Sequence, residues 1–309
     1  MSSQPAPSPA LADAPPLGLM AKLRALRELG KPNLSLLVVV TAVFGFFVAT
    51  SNEQAVDPLS WLHAAMLVIG TGLTAMGACA ANMCSEHELD ALMHRTRGRP
   101  LPSGRVTEEE AFAFAIGSFL VGFSLLYAFC GPIPAVLSLA TTAIYAFVYT
   151  PSKRHGPISV WIGAIPGAIP PLMGWTTVTG RIDLGGMALF ALLFTWQFPH
   201  FLALAYMYRE DYARGGFRFL SKHDTEQRTG RAIGIGAVAT VLASLAPWWL
   251  GLTSLTYFVI ASLAGAHLLR ASFGAARDLT AKTARRAFFS TIIYLPVLLL
   301  ATVLDRLVH

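Results

Sequence analysis

Nine blocks of apolar sequence, each about long enough to cross a lipid bilayer, leave this chain few ways to fold. They run near residues 34–50, 59–83, 110–129, 132–150, 158–178, 185–207, 230–250, 252–272 and 287–306. A helix needs about 20 mostly apolar residues to cross the hydrocarbon core. Its backbone polar groups must also be satisfied within the segment, which favours helices over open strands. Charge is nearly absent from these blocks until their ends. Over the whole chain 13% of residues are charged, against about 25% in an ordinary soluble domain. The expected fold class is therefore all-α, a polytopic membrane protein of about nine transmembrane helices.

The formal net charge of +6 could suggest a nucleic-acid partner, but its placement does not. With the segments between blocks numbered alternately inside and outside, starting inside, all but Arg181 and Arg306 of the 23 lysines and arginines fall inside. The excess of Lys and Arg in cytoplasmic loops then orients the chain, with the N-terminus cytoplasmic and the C-terminus on the far side. In a bacterium this is a multi-pass protein of the inner (plasma) membrane with a periplasmic C-terminus. The basic balance reflects topology and anionic lipid or substrate, not nucleic acid. Cys79, Cys84 and Cys130 lack metal-finger spacing and read as small packing residues.

Two regions are expected. Residues 1–30 comprise a Pro-, Ala- and Ser-rich stretch to residue 18, expected to be disordered, and a short helix over 19–30. That helix sets Leu19, Met20, Leu23 and Leu26 against Lys22, Arg24 and Arg27, the pattern of a helix lying on the membrane surface. Residues 31–309 form the membrane domain. Two long inner loops, 84–107 and 208–229, follow the second and sixth blocks, four helices apart, as a weak internal duplication would place them. Pro199 is expected to kink the sixth span.

The chemistry gathers on the inner face. Asn82, Glu86 and Asp90 are four residues apart, and each such step on a helix drifts only about 40°, so the three side chains share one face. Like charges at that spacing repel, and burying them near a membrane is costlier still. A hard divalent cation would compensate: Mg²⁺ typically takes one or two carboxylates, waters and substrate phosphates. A solvated acidic helix end is the plainer alternative. Arg95, Arg97 and Arg99 follow directly, and acids, a divalent ion and arginine together suit a diphosphate. Some of these arginines could equally serve topology alone. Tyr149 and Lys153 stand four apart at the end of the fourth block, followed by Arg154. The second long loop offers Asp211, which could complete a metal site, and His200 follows Pro199 about one turn inside the membrane. A lone intramembrane histidine is also often a packing residue.

Asn82-xxx-Glu86-xxx-Asp90 resembles the Asn-xxx-Asp-xxx-Asp diphosphate motif of the intramembrane UbiA prenyltransferase superfamily, and Tyr149-xxx-Lys153 is similar to a second element of it. Longer strings are similar to its haem-farnesylating branch. These are Asp90 to Pro102, Tyr149 to Arg154, Trp175 after Gly-Ala-Ile-Pro-Pro, Trp196-Gln-Phe-Pro-His-Phe201 and Arg209 to Phe217. Glu86 stands where the superfamily has Asp, a replacement that occurs in the haem branch. Gly215 stands where other branches keep a second Asp. The resemblance spans nearly the whole chain from Lys31.

It implies nine helices around a central cavity open to the cytoplasmic side and to lipid. It implies an Mg²⁺-dependent prenyltransferase that moves farnesyl from farnesyl diphosphate to a vinyl group of protohaem IX, with water capture, giving haem O for terminal oxidases. A haem A synthase is the implied partner. Asn82, Glu86, Asp90 and Asp211 are then the metal ligands and, with Lys153, the catalytic set. Lys31, Arg95, Arg99, Lys153 and Arg154 bind diphosphate, and Tyr149 and His200 meet the acceptor.

Two enzyme readings and two of another class compete. A relative acting on a quinone precursor shares the first motifs, but the Trp196 to Phe201 string favours haem. A transporter would spread its acids across the midplane rather than gather them at one face. An assembly factor without catalysis leaves the acid cluster unexplained.

Overall fold

The computed structural model describes residues 18–50, 58–217, 219–220 and 225–308. All but Gly18 of the expected disordered stretch, and Lys222 of the second long loop, lie outside the described residues. In chain order the helices are α1 (Leu19–Leu29), α2 (Pro32–Thr50), α3 (Pro58–Leu92), α4 (Glu108–Leu125), α5 (Pro132–Ala143), α6 (Thr150–Ser152), α7 (Ile158–Thr179), α8 (Leu184–Met207), α9 (Arg209–Arg214), α10 (Glu226–Trp249), α11 (Leu255–Arg277) and α12 (Ala281–Val308). Among the described residues nine segments are long and apolar enough to cross a membrane, and they coincide with the nine blocks.

The helix of the second span runs past the apolar block to Leu92, as the shared face of Asn82, Glu86 and Asp90 requires, and carries all three on one continuous helix. Two spans contain π-helical turns, Leu126–Cys130 after α4 and Ile144–Tyr149 between α5 and α6. Such turns widen the helix locally and often mark functional sites. Pro199 lies inside a helix that is continuous from Leu184 to Met207.

Polarity is inverted relative to a soluble protein. Trp61, Phe147, Leu184, Ile235 and Leu263 are among many large apolar side chains on the outer surface, where lipid tails would meet them. The interior of the C-terminal half is packed by Phe44, Trp175, Leu192, Trp196, Tyr257 and Tyr294. Neither half can slide freely, because α2 crosses α7 backbone to backbone. A Cβ added at Gly45 would lie 1.8 Å from the Pro171 carbonyl oxygen, and one at Gly174 1.8 Å from that of Ala42. Small residues at such a crossing allow the close packing that holds membrane helices together.

The short helix α1 buries Ala25 and Leu29 against Ala80, Met83 and Leu101 while Leu19, Met20 and Leu23 stay exposed. Lys22 Nζ binds Glu110 of α4 at 2.5 Å, and Arg105 Nη2 binds Glu28 at 2.7 Å. Glu110 also closes a capping box with Thr107, satisfying free N–H groups at the start of α4. The link from α1 to α2 is sharp: Lys31 has a φ of 45°, uncommon for a residue with a Cβ, and Pro32 starts α2.

Candidate active site

Four carboxylates are buried among the described residues: Glu86, Asp90, Asp211 and Asp305. Asp305 is structural. It accepts hydrogen bonds from the backbone N–H groups of Ser254 and Tyr257 and from the Ser254 hydroxyl, capping α11 at the face opposite the long loops.

Glu86 and Asp90 line a central cavity of about 460 Å³. Asn82, fully buried, sits one turn before Glu86 on the same face of α3. Each of the three positions is matched by a cation from a different segment. Lys31 Nζ donates to Asn82 Oδ1 at 2.6 Å. Lys153 Nζ lies 2.9 and 3.0 Å from the two oxygens of Glu86. Arg99 Nη1 donates to Asp90 Oδ2 at 2.6 Å. The amide of Asn82 also donates to Glu86 Oε2 and to Thr150 Oγ1, each at 2.9 Å. This explains how an acidic stripe survives burial: every member has an ionic or hydrogen-bonded partner.

Local structure puts the cations there. The left-handed turn at Lys31 ends α1 and begins α2, and the side chain of Lys31 borders the cavity. Its pKa is lowered to about 8, chiefly by burial and further by the nearby charges of Arg99 and Lys153. Arg99 belongs to a turn-rich loop that folds back on α3, where Thr96 Oγ1 donates to the Asp90 carbonyl at 2.8 Å. Lys153 follows the π-helical turn, and its ammonium lies 4.6 Å from the centre of the Tyr149 ring. Gly163 on α7 makes room for that ring; a Cβ there would lie 2.5 Å from Tyr149 Cε2.

With Arg95, which also lines the cavity, four cations face two carboxylates at its polar end. The rest of the wall is mostly apolar or aromatic, including Leu34, Leu37, Leu193, Trp196, Phe201, Phe217 and Leu295. A site so divided suits a ligand with an anionic head and a long apolar body.

His200 lines the same cavity, stacked between Trp196 at 4.5 Å and Phe288 at 4.7 Å between ring centres. Its Nδ1 is 2.8 Å from Thr291 Oγ1. The Thr291 hydroxyl already donates to the Phe288 carbonyl at 2.6 Å, so its single proton is used. With that proton so used, the hydrogen-bond network assigns Thr291 as acceptor from His200, the imidazole proton to Nδ1 and the lone pair to Nε2. Among the described residues Nε2 has no hydrogen-bond partner.

The structure thus brings Lys31, Asn82, Glu86, Asp90, Arg95, Arg99, Tyr149, Lys153 and His200 to one cavity. Two expected members stand apart. Asp211 does not line the cavity; its carboxylate accepts from Arg214 Nη2 at 2.8 Å and the His94 N–H at 3.2 Å. The Arg214 bond holds its carboxyl below the ordinary range. Arg154 is exposed, pointing away from the wall that Lys153 joins. Among the described residues no three of His, Cys, Asp and Glu gather as a ready metal cage. The oxygen donors that could hold a cation are Glu86, Asp90 and the Asn82 amide, with substrate oxygens still to come.

Thr150 and Thr291 escaped the sequence reading. Thr150 stands inside a motif string already singled out, next to Tyr149. Thr291 lies in an apolar span with no local signal, since its role depends on a residue 91 positions away.

Comparison with known proteins places these features. The sequence profile of the UbiA prenyltransferase family matches residues 38–294. A protein of Solibacter usitatus named protoheme IX farnesyltransferase is 38% identical over 292 residues, covering 92% of this chain and 99% of the relative. Among solved structures, digeranylgeranylglyceryl phosphate synthase superposes with a TM-score of 0.76 at 16% identity, over 92% of this chain and 98% of that one. A UbiA homologue from Archaeoglobus fulgidus bound to GPP and Mg²⁺ gives 0.60 at 13% identity, over 91% and 99%. These two likenesses establish the shared fold.

Proposed function

The chain belongs to the UbiA prenyltransferase family, and from that premise we propose that it transfers a farnesyl group from farnesyl diphosphate to a vinyl group of protohaem IX, with capture of water, forming haem O. The observation that carries this reading is the single cavity joining a cation-rich polar end to an aromatic body that holds an imidazole with a free lone pair.

Lys31, Arg95, Arg99 and Lys153 bind the diphosphate. As the allylic C–O bond breaks, its electron pair leaves with the diphosphate, and charge grows where these cations stand. They favour the transition state over the ground state because their position is fixed beforehand. In the resting site Lys153 and Arg99 are paired with Glu86 and Asp90, so substrate binding exchanges partners instead of stripping bare charges from water. Glu86, Asp90 and Asn82 offer an oxygen-only donor set that fits Mg²⁺, and the Archaeoglobus fulgidus homologue holds that ion together with GPP. Bound there, the ion would neutralise diphosphate charge and hasten departure of the leaving group. Asp211 is left in a supporting role, tying the second loop to His94.

The allylic cation is attacked by the electron pair of the haem vinyl group, and water adds to the resulting cation and loses a proton. Apolar walls around Trp196, Phe201 and Phe217 keep other water away until then. His200 would hold the haem through Nε2, by ligating its iron or by a hydrogen bond near the vinyl group, and so orient that vinyl group; Tyr149 lines the same cavity. The charge split supports a bacterial inner-membrane protein with a cytoplasmic N-terminus, a periplasmic C-terminus and α1 lying on the inner surface. A haem A synthase is the natural recipient of the product.

Purified protein incubated with haem, farnesyl diphosphate and Mg²⁺ should yield a product whose mass equals haem plus a farnesyl group and a hydroxyl group. Prenylation of 4-hydroxybenzoate with no haem product would overturn the assignment in favour of a quinone-directed enzyme.

A further inference from the structure

A second basic site lies away from the cavity, in a groove of about 920 Å³ between α11 and α12. The turn joining these helices is at the same face as the long loops: the Tyr206 hydroxyl at the end of α8 lies 3.0 Å from the Leu279 carbonyl. The groove is lined by His267 and Arg270 from α11 and by Lys282, Arg285 and Arg286 from α12, and no carboxylate lines it. Lys282 repels Arg285 and Arg286 at helical spacings of three and four. Among the described residues none of the four Lys and Arg side chains has an ion-pair partner, unlike the central cavity, where Lys153 and Arg99 are paired. Arg270 is the most telling. It is exposed, about 10 Å from the inner end of α11, within a candidate membrane span. A guanidinium so near the inner end must reach the headgroup region, where an anion would meet it.

The groove is graded along its length. From Ala281 to Ile293 it follows α12 for about 18 Å, roughly the depth of one leaflet. Lys282, Arg285 and Arg286 stand at the mouth. Phe289 and Ile293, both exposed, continue it inward, and the Arg285 guanidinium lies 5.6 Å from the Phe289 ring centre. On the facing wall a Cβ added at Gly274 would touch nothing within 4 Å, so the space is open.

We infer that this groove binds an anionic glycerophospholipid of the inner leaflet, its phosphate between Arg270 and Arg286 and an acyl chain against Phe289 and Ile293. The charge and its gradient match that molecule: basic pockets between transmembrane helices on this side hold anionic headgroups. The inference does not depend on the prenyl acceptor.

The test uses the full-length protein in phosphatidylcholine nanodiscs with and without phosphatidylglycerol. Retained phosphatidylglycerol is counted by native mass spectrometry and the thermal midpoint recorded. The wild type should retain phosphatidylglycerol and melt higher in its presence. Arg270→Gln/Arg286→Gln should bind it about thirtyfold more weakly, equivalent to about 2 kcal/mol, and lose the shift. An Arg270→Lys/Arg286→Lys control keeps the charge and should keep most of both. An unchanged midpoint in phosphatidylcholine checks that the variants fold. Equal retention by the glutamine variant would return the basic residues to topology alone. Full stabilisation by inorganic phosphate in phosphatidylcholine would likewise overturn the lipid assignment.

Discussion

Removing Lys153 separates what the Lys153–Glu86 pair does for stability from what it does for catalysis. Both side chains are nearly inaccessible, at 10% and 6% exposure, and both Glu86 oxygens lie within 3.0 Å of the ammonium. Breaking a buried pair by deleting one partner costs about 3–5 kcal/mol, because the other charge is left uncompensated. Lys153→Met should fall at the low end, about 3 kcal/mol, since the Asn82 amide still donates to Glu86 Oε2. For a chain of this size that is a drop on the order of 5 °C in thermal midpoint. Glu86→Gln in the same chain removes the stranded charge, and the double variant should recover most of the loss. Farnesyl diphosphate affinity should not recover, because the cation that meets the leaving group is still missing. Thermal unfolding in nanodiscs and equilibrium binding of farnesyl diphosphate read the two effects separately. A double variant as unstable as Lys153→Met would refute the paired-charge account. One that regains farnesyl diphosphate affinity would refute the proposed role of Lys153.

Asp90→Ala and Asn82→Ala should each lower turnover more than tenfold, at least about 1.4 kcal/mol of transition-state stabilisation, with expression intact; full activity in Asp90→Ala would count decisively against a metal role. Because burial depresses Lys31 to about 8, its ammonium is present below that pH and lost above it, so farnesyl diphosphate affinity should fall between about pH 7 and pH 9. Lys31→Met should bind weakly across the range and flatten the profile, and a wild-type slope in that variant would exclude Lys31 as its cause. His200→Ala should keep farnesyl diphosphate binding but lose the haem Soret shift. Thr291→Val should weaken that shift by freeing the imidazole tautomer, while Thr291→Ser preserves it; an unshifted wild-type band rules out iron ligation. A topology reporter fused after His309 should be periplasmic and one within 84–107 cytoplasmic; both on one side would end the nine-span assignment.

Much of the fold was legible in the sequence because the bilayer imposes a length and polarity rule on each segment separately. Every apolar block became a spanning helix, although the blocks said little about helix ends: α3 runs on to Leu92 because Asn82, Glu86 and Asp90 find partners that make a buried polar turn tolerable. The shared face of those three residues was equally readable, since helical periodicity fixes it without reference to the rest of the chain. The π-helical turn before Thr150 was not, because it depends on how Tyr149 packs against Gly163 of α7.

Partner choice belongs to the tertiary structure. Lys31 meets Asn82 across 51 positions and Lys153 meets Glu86 across 67, whereas Arg154, next in the chain, faces outward. The motif spacing that suggested Asp211 as a ligand could not reveal that Arg214 and the backbone of His94 hold its carboxylate off the cavity wall. Nor could any local pattern show that Thr291 sets the tautomer of His200. Hydropathy and periodicity are properties of one segment, whereas a hydrogen bond between helices exists only after their crossing points, such as that of Gly45 with Pro171, have set which side chains come within 3 Å.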